Sequence, residues 1–367
     1  MKKYLKYFSL GLLFLCSFLV GVAAGYILPG LSKIFVKNPV NQTPEVVEKL
    51  DILDSYNILL LGYGGAGHDG GNLSDVVMVL NINPKEKKAV FVSIPRDLWV
   101  EIPVRSDIKE HYKINAAYAI GSDDIKFPLK EPQYKGEVGA GNLAKEVVGN
   151  VIGVPIEYFL AVDFEGFKKI ADYLGGVEVD VPVTFDDYFY PVKGLENETC
   201  RKSASEIAEL HQKYSGFDLE KQFECRYEHI HYDKGKSHMD GESVLKFVRS
   251  RHSSEHGGDF ARSQRQQAVI VALKEKLVSL QTAKSFDEIY SEFTKMLRTD
   301  LDLKKAKDLS DIFGDPGEYK VSFLSLSTDN VLVATKSLDG QFILIPKEGE
   351  DVWTGVQKFI FDQPNSN

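Results

Sequence analysis

The sequence predicts an α/β domain: a mixed central β-sheet flanked by helices, carried behind one N-terminal transmembrane helix. Three observations support this. No charged residue occurs from Tyr7 to Ser32. Short apolar runs bounded by Gly, Pro and Asn recur from Tyr56 onward. Segments with helical apolar spacing fall between and after those runs, an order that gives a sheet with helices on its faces.

The anchor comes first. Tyr7 to Leu28 can cross a hydrocarbon core of roughly 30 Å at about 1.5 Å per residue. Lys2, Lys3 and Lys6 precede it, so residues 1–6 form a cytoplasmic stub and the body lies outside. The rival reading is a cleaved signal peptide, whose apolar region is shorter, roughly 7–15 residues. Ala23-Ala24-Gly25 is a poor cleavage site, so the run reads as an uncleaved, single-pass anchor in the cell membrane. Residues 29–54 contain Pro39, Asn41, Gln42, Thr43 and Pro44 and read as a linker. Residues 55–367 are long enough to bury a sizeable core.

Within that body, Tyr56 to Gly62 is an apolar run ended by glycines and reads as a buried strand. Val76 to Ile82 and Ala89 to Ser93 form a hairpin around the turn Asn83-Pro84-Lys85. Leu143, Val147, Val148 and Val151 recur at helical intervals, so Asn142 to Ile152 is a helix. Tyr158 to Val162 is a strand, Phe164 to Leu174 a helix, and Val177 to Val183 a strand. Asp240 caps a helix over Gly241 to Val248. Val269, Ile270, Leu273 and Leu277 predict a long helix over Phe260 to Ser279. Phe286 to Leu297 and Lys304 to Phe313 fit further helices. Strands near Tyr319 to Leu326, Val331 to Ala334 and Phe342 to Ile345 follow, with a last helix near Val352 to Phe361.

Cys16 lies in the apolar run, which leaves Cys200 and Cys225 as the two cysteines of the exported part. Outside a membrane such a pair can form a disulfide. The polar, irregular segment between them gives a staple a purpose. His211, His229 and His231 nearby show no recognisable zinc spacing.

Arg249, Arg251, Arg262 and Arg265 crowd into a short stretch of a chain with net charge -9. Guanidinium groups keep their charge and present a fork that fits phosphate oxygens. The cluster points to a local anion such as pyrophosphate; an ion-paired, solvated helix face is the other reading. The glycine-rich loop Gly62 to Gly71 lets backbone approach a ligand closely. It lacks the Lys-Ser or Lys-Thr pair of a P-loop, and no helix follows it as in a dinucleotide fingerprint. Asp69 and Asp75 put two carboxylates on this loop, an arrangement that suits magnesium or simply caps turns. Pro95 stops the third strand and leaves Arg96 and Asp97 at its mouth. Lys113 and Asn115 precede a short helical stretch. His68, His252 and His256 read as loop residues near the same place.

These motifs, taken in order, carry a resemblance. They are Asn-Ile-Leu-Leu-Leu-Gly at 57–62, Ser-Asp at 74–75, Asn-Pro-Lys at 83–85 and Ser-Ile-Pro-Arg-Asp at 93–97. Lys-Ile-Asn-Ala-Ala-Tyr at 113–118 and Leu-Gly-Gly-Val-Glu-Val-Asp-Val-Pro at 174–182 follow. Asp-Gly-Glu-x-x-Leu-x-x-Val-Arg-Ser-Arg at 240–251 and Asp-Phe-x-Arg-x-x-Arg-Gln-Gln at 259–267 complete the set. The chain resembles the LytR–CpsA–Psr family, which attaches glycopolymers to the bacterial cell wall. The resemblance implies transfer of a phosphoglycan from a polyprenyl-diphosphate carrier to a sugar hydroxyl of peptidoglycan, with release of polyprenyl phosphate. It implies Mg²⁺ as cofactor and an apolar pocket for the lipid. The implied partners are the lipid-linked glycan, peptidoglycan and the membrane, with no nucleic acid. Asp75 becomes a magnesium-directing acid; Arg96, Arg249, Arg251 and Arg262 hold the diphosphate, supported by Lys113 and Gln266. Arg262 and Gln266 share one helix face at i, i+4. Asp97 is a candidate base, with a structural salt bridge as the alternative. A protein that binds the lipid without transfer, and a hydrolase, remain alternative readings.

Two departures stand out. Gly64 occupies a place where the family usually has an aspartate, and Asp69 is the acid within the loop that could replace it. The segment from about 185 to 233 reads as an insert, and it holds both exported cysteines.

Overall fold

Asn57 to Leu61 are five consecutive buried residues. A strand buried on both faces must lie inside a sheet, with partners on either side. In the computed structural model, which describes residues 55–68, 70–136, 138–279 and 286–362, this segment is β1 (Tyr56–Tyr63). The expected anchor at 7–28 and linker at 29–54 lie outside the described residues, as does Asp69. Among the described residues, no helix is long and apolar enough to cross a membrane.

Strands β2 (Ser74–Asn83) and β3 (Lys88–Ile94) make the expected hairpin, followed by a second hairpin, β4 (Trp99–Arg105) and β5 (Ile108–Lys113). Next come β6 (Tyr158–Asp163), β7 (Val177–Val181), β8 (Phe185–Pro191), β9 (Tyr227–Tyr232) and β10 (Gly235–Met239). The last strands are β11 (Arg298–Thr299), β12 (Lys320–Ser325), β13 (Leu332–Lys336) and β14 (Phe342–Pro346). The central sheet runs β11-β6-β1-β2-β3-β12. It is mixed: β1 pairs parallel with β6 and antiparallel with β2, and β12 joins β3 in parallel.

The helices are α1 (Ala116–Ser122), α2 (Gly139–Ile152), α3 (Phe164–Tyr173), α4 (Ala204–Lys213) and α5 (Gly216–Glu220). They continue with α6 (Gly241–Arg249), α7 (Gly258–Ser279), α8 (Phe286–Phe293), α9 (Leu303–Phe313) and α10 (Thr354–Phe361). Strand alternation sorts them into two layers. Ile58, Leu60, Met78 and Leu80 face one core with α3, α6, α7, α8 and α9. Leu59, Leu61, Val77 and Val79 face the other, built with α1, α2 and α10. Each layer covers one side of the sheet, as the α/β reading expects.

The β4–β5 hairpin was not among the expected elements, although Val100, Ile102 and Val104 alternate along β4. Strand β5 has no fully buried residue, so no apolar alternation marks it, and Pro103 weakens the strand pattern of β4. The segment at 185–233 is also more ordered than its polar composition suggests. It contains the antiparallel β8–β9 pair and two short helices, α4 and α5. Ser203 and Glu206 close a capping box at the start of α4. Cys200 and Cys225 are joined by a disulfide that pins the outer part. Strand β8 itself is not peripheral: Phe185, Asp187 and Tyr190 are buried, and two of them reach the site described below.

Arg265 is fully buried and does not join its neighbours in the arginine cluster at the surface. Its guanidinium donates to the carbonyls of Phe247 (3.0 Å), His256 (2.7 Å) and Ser250. Two of these belong to the C-terminal end of α6, where carbonyls lack helical partners and a cation is favoured. The group also stacks over Phe185, 4.6 Å from the ring centre. Burial lowers its pKa to about 10, which leaves it charged at neutral pH. Arg265→Met should therefore destabilise the fold by about 3 kcal/mol or more, since several charge-assisted bonds are lost and carbonyls are stranded. Chemical denaturation of the two proteins measures this directly.

Candidate active site

Strands β1 and β6 run parallel and end side by side at Tyr63 and Asp163. In α/β sheets the carboxyl ends of parallel strands are where ligands sit. A cavity of about 300 Å³ opens there, between the sheet edge, α3, α6, α7 and β8. Apolar side chains of Val76, Val162, Phe164, Phe167, Leu245 and Val248 line it. Arg96, Arg249, Arg251 and Arg262 also line it, together with Asp75 and Gln266. These residues and His252, which also lines the cavity, were singled out in the sequence and meet in one place.

Each reaches it by a local device. Asp75 sits where the β1–β2 register shifts, between the pairs Gly62–Val76 and Tyr63–Ser74. Such a bulge turns a side chain out of the ladder. Arg96 follows the proline that ends β3, and its Nη1 donates to Asp75 Oδ1 at 2.5 Å. Arg249 closes α6; its guanidinium lies 4.2 Å over Phe164 and donates to the Tyr190 hydroxyl at 3.2 Å. Arg262 and Gln266 are one turn apart on α7. The Gln266 amide donates to the Val248 carbonyl at 3.3 Å, which joins α7 to α6 at the cavity wall.

Asp97 and Lys113 are placed differently from the sequence expectation. Neither lines the cavity. Lys113 Nζ is 2.6 Å from Asp97 Oδ1, and Asp97 Oδ2 is 3.6 Å from Arg96 Nε. The structural salt bridge is therefore what the geometry shows for Asp97: it stands behind Arg96 and between two cations.

Sequence reasoning missed several wall residues. Asp187 is 1% exposed, and its Oδ2 accepts from the Ser250 hydroxyl (2.7 Å) and the backbone N–H groups of Arg251 (3.1 Å) and His252 (3.0 Å). Tyr190 and Asp163 also line the cavity. Asp163 caps α3 by accepting from the Gly166 N–H at 2.7 Å. Its place before a helical run was a visible capping signal; Asp187 and Tyr190 had none, because they lay in a segment read as an insert.

The glycine-rich loop folds back on itself, with the Gly65 N–H donating to the Gly71 carbonyl at 2.8 Å. Gly65 has φ +81, and a Cβ there would come within 2.8 Å of Asp163 Cβ, so only glycine fits. His68, on the same loop, packs edge-on against Phe164 at 5.2 Å. Burial first, then Arg249 and Lys193, hold its imidazole below the usual value. His252 stacks on Phe217 of α5 at 3.8 Å, and burial lowers its pKa too. Both are therefore favoured as neutral rings beside the arginines.

The arrangement combines cationic and apolar side chains on one cavity wall. Four guanidiniums converge at the wall, while Asp187 and Asp163 already accept from protein donors. Partial exclusion of water strengthens each cation's pull on a bound anion.

Comparison with known proteins bears on the family and the fold. The sequence profile of the LytR_cpsA_psr family matches residues 33–350. The polyisoprenyl-teichoic acid–peptidoglycan teichoic acid transferase TagU of Enterococcus faecalis is 26% identical over 309 residues, covering 81% of this chain and 82% of that one. TagU of Bacillus anthracis is 28% identical over 322 residues, covering 86% and 85%. Among solved structures, Streptococcus agalactiae protein gbs0355 aligns with a TM-score of 0.55 at 20% identity, over 84% of this chain and 87% of that chain. Bacillus subtilis TagV aligns with a TM-score of 0.50 at 23% identity, over 80% and 92%. These two share the mixed sheet flanked by helices. On the match across most of its length, the chain belongs to the LytR_cpsA_psr family.

Proposed function

We propose that this protein transfers a phosphoglycan from a polyprenyl-diphosphate carrier to a sugar hydroxyl of peptidoglycan, outside a cell membrane in which residues 7–28 anchor it. The observation that carries the reading is a single cavity with four arginines and an apolar wall. A lipid diphosphate has the same two-part chemistry: a charged head and a hydrocarbon tail. Each methylene removed from water contributes about 0.8 kcal/mol. The names of the relatives, which are teichoic acid transferases acting on peptidoglycan, support a glycopolymer as cargo.

Phosphoryl transfer depends mainly on positioning and on charge stabilisation at phosphate oxygens. Arg249, Arg251 and Arg262 hold the diphosphate, and Arg96 meets it from the sheet edge. The acceptor hydroxyl oxygen attacks the phosphorus attached to the glycan. The bond from that phosphorus to the bridging oxygen breaks, and polyprenyl phosphate leaves. The hydroxyl proton ends on the departing phosphate, whose second pKa is about 6. Asp97 is assigned to holding Arg96 and Lys113 in place rather than to proton removal. Gln266 keeps α6 and α7 together behind the arginines.

The donor set also suits a hard cation. Asp75 is a carboxylate on the cavity wall, and Mg²⁺ needs only one or two such groups besides phosphate and water. Asp75 would hold it, with Asp69 as the second acid from the glycine-rich loop. A bound Mg²⁺ would supply neutralisation of the diphosphate's negative charge.

Incubation of the full-length protein with lipid-linked glycan, a peptidoglycan acceptor and Mg²⁺ tests the reading. Glycan phosphate on the acceptor is expected. Free phosphoglycan would mean hydrolysis, and unchanged bound lipid would mean binding alone; either result rejects transfer. Replacing Arg249, Arg251 or Arg262 by Ala should each weaken binding of a polyprenyl diphosphate by roughly 1.5–3 kcal/mol. Lys at these positions should rescue only partly, because it lacks the bidentate fork. Normal lipid binding by all three Ala variants would show the cluster to be a solvated face. Asp75→Asn should abolish Mg²⁺-dependent transfer and Asp69→Asn should reduce it strongly. Full activity of Asp69→Asn at unchanged Mg²⁺ dependence would remove Asp69 from the site.

A further inference from the structure

A second group of ligand-bearing side chains lies on the β4–β5 hairpin, outside the cavity wall. Glu101 and His111 are direct cross-strand partners. Asp351, from the turn ahead of α10, meets them, and ligand atoms of all three lie within 4.8 Å of one another. His111 Nε2 is 2.7 Å from Asp351 Oδ2 and 3.4 Å from Glu350 Oε1. Three carboxylates thus crowd one imidazole, and the cation recorded beside them is Lys109, 3.8 Å from Glu101.

We propose that Glu101, His111 and Asp351, with Glu350 beside them, bind a divalent transition-metal ion of the zinc type. The ligand chemistry selects the ion. An imidazole nitrogen with two or three carboxylate oxygens suits zinc and its first-row neighbours, whereas calcium and magnesium prefer oxygen alone. Zinc bonds of about 2.0–2.2 Å place neighbouring ligand atoms a little over 3 Å apart. The separations at His111 bracket that spacing, so small side-chain rotations complete the site. Side-chain exposures of 31% for His111 and 35% for Asp351 leave an entry path from solvent. The Trp99 ring lies nearly parallel to the imidazole, 6.1 Å away at 20°, and limits its rotation.

The position gives the ion a mechanical role. Its ligands come from β4, β5 and a turn far away in sequence. The Leu344 N–H of β14 donates to the Asp97 carbonyl at 3.0 Å, and Trp99 pairs with Lys113 two residues before the Glu101–His111 pair. An ion here ties the C-terminal segment to the hairpin, two residues from Lys113, the partner of Asp97 behind Arg96. The inference rests on these contacts and not on the transfer reaction.

Calorimetric titration of the full-length chain in detergent with ZnCl₂, paired with thermal melts, tests it. The wild type should bind zinc with a Tm gain of about 3 °C or more near saturation. Glu101→Gln, His111→Gln and Asp351→Asn should each weaken binding by about tenfold or more and lose most of the Tm gain. His231→Gln controls for the exposed Asp186–His229–His231 group and should leave binding unchanged. Melts in EDTA show whether each variant is folded, and the conservative Glu101→Gln change decides the case if another variant is not. The proposal is overturned if wild type takes up no zinc, if the folded site variants bind it as well as wild type, or if His231→Gln is the change that removes binding. Equal displacement of zinc by millimolar Ca²⁺ or Mg²⁺ would overturn the transition-metal assignment.

Discussion

The buried carboxylate of Asp187 holds the arginine loop in place. Three donors from Ser250, Arg251 and His252 converge on its Oδ2, while the Phe189 N–H satisfies Oδ1 at 2.9 Å. Cations placed side by side repel, so a loop that presents Arg249 and Arg251 in one direction needs a rigid backbone beneath it. Asp187 fixes that backbone through the N–H groups of Arg251 and His252. Arg265 does the complementary work from below, through carbonyls of Phe247, Ser250 and His256. One buried anion and one buried cation thus grip the same loop by its two kinds of backbone group. Removing either partner would leave polar groups stranded in the interior, the costly side of any hydrogen bond.

This explains why part of the site was legible and part was not. The sheet and most helices could be read because each buries a periodic apolar face: Ile58 and Leu60 toward one layer, Leu59 and Leu61 toward the other. Arg249, Arg251 and Arg262 stood out because they cluster in an acidic chain, and Arg96 because Pro95 ends β3 just before it. The supports could not be read. Arg265 has the same letter as its neighbours, and only the turn of α7 decides that it points inward. Asp187 lies in a polar stretch whose β8–β9 pairing partner is some forty residues away. In the β4–β5 hairpin only β4 alternates in burial, around Pro103, while no residue of β5 is fully buried, so the pairing could not be recognised.

The same contrast separates Arg96 from Asp97. Both stand at the mouth of β3, and adjacency in sequence gives each an equal claim to chemistry. Side-chain direction splits them. Arg96 lines the cavity and bonds Asp75, whereas Asp97 takes Lys113 on one oxygen and approaches Arg96 with the other. The pair is a relay of fixed charges, Lys113 to Asp97 to Arg96 to Asp75, running from the hairpin to the cavity. A charge held in such a relay is preorganised, and under the proposed transfer it would need little reorientation as charge develops on the phosphate oxygens.

Gly64 belongs to this balance. A side chain at that position would place its Cβ 2.9 Å from the Cβ of His68, too close without movement of the loop. The folded-back loop, closed by Gly65 and Gly71, and an acid at position 64 are therefore not compatible as they stand. The chain has a loop that brings His68 against Phe164 instead, and burial and Arg249 keep that ring from taking up a proton easily. A neutral ring adds no further positive charge next to the arginines. Under the proposed Mg²⁺ role the acid that accompanies Asp75 is then not residue 64; Asp163, also on the cavity wall, caps α3 through its Oδ1, and Asp69 is the acid within the glycine-rich loop.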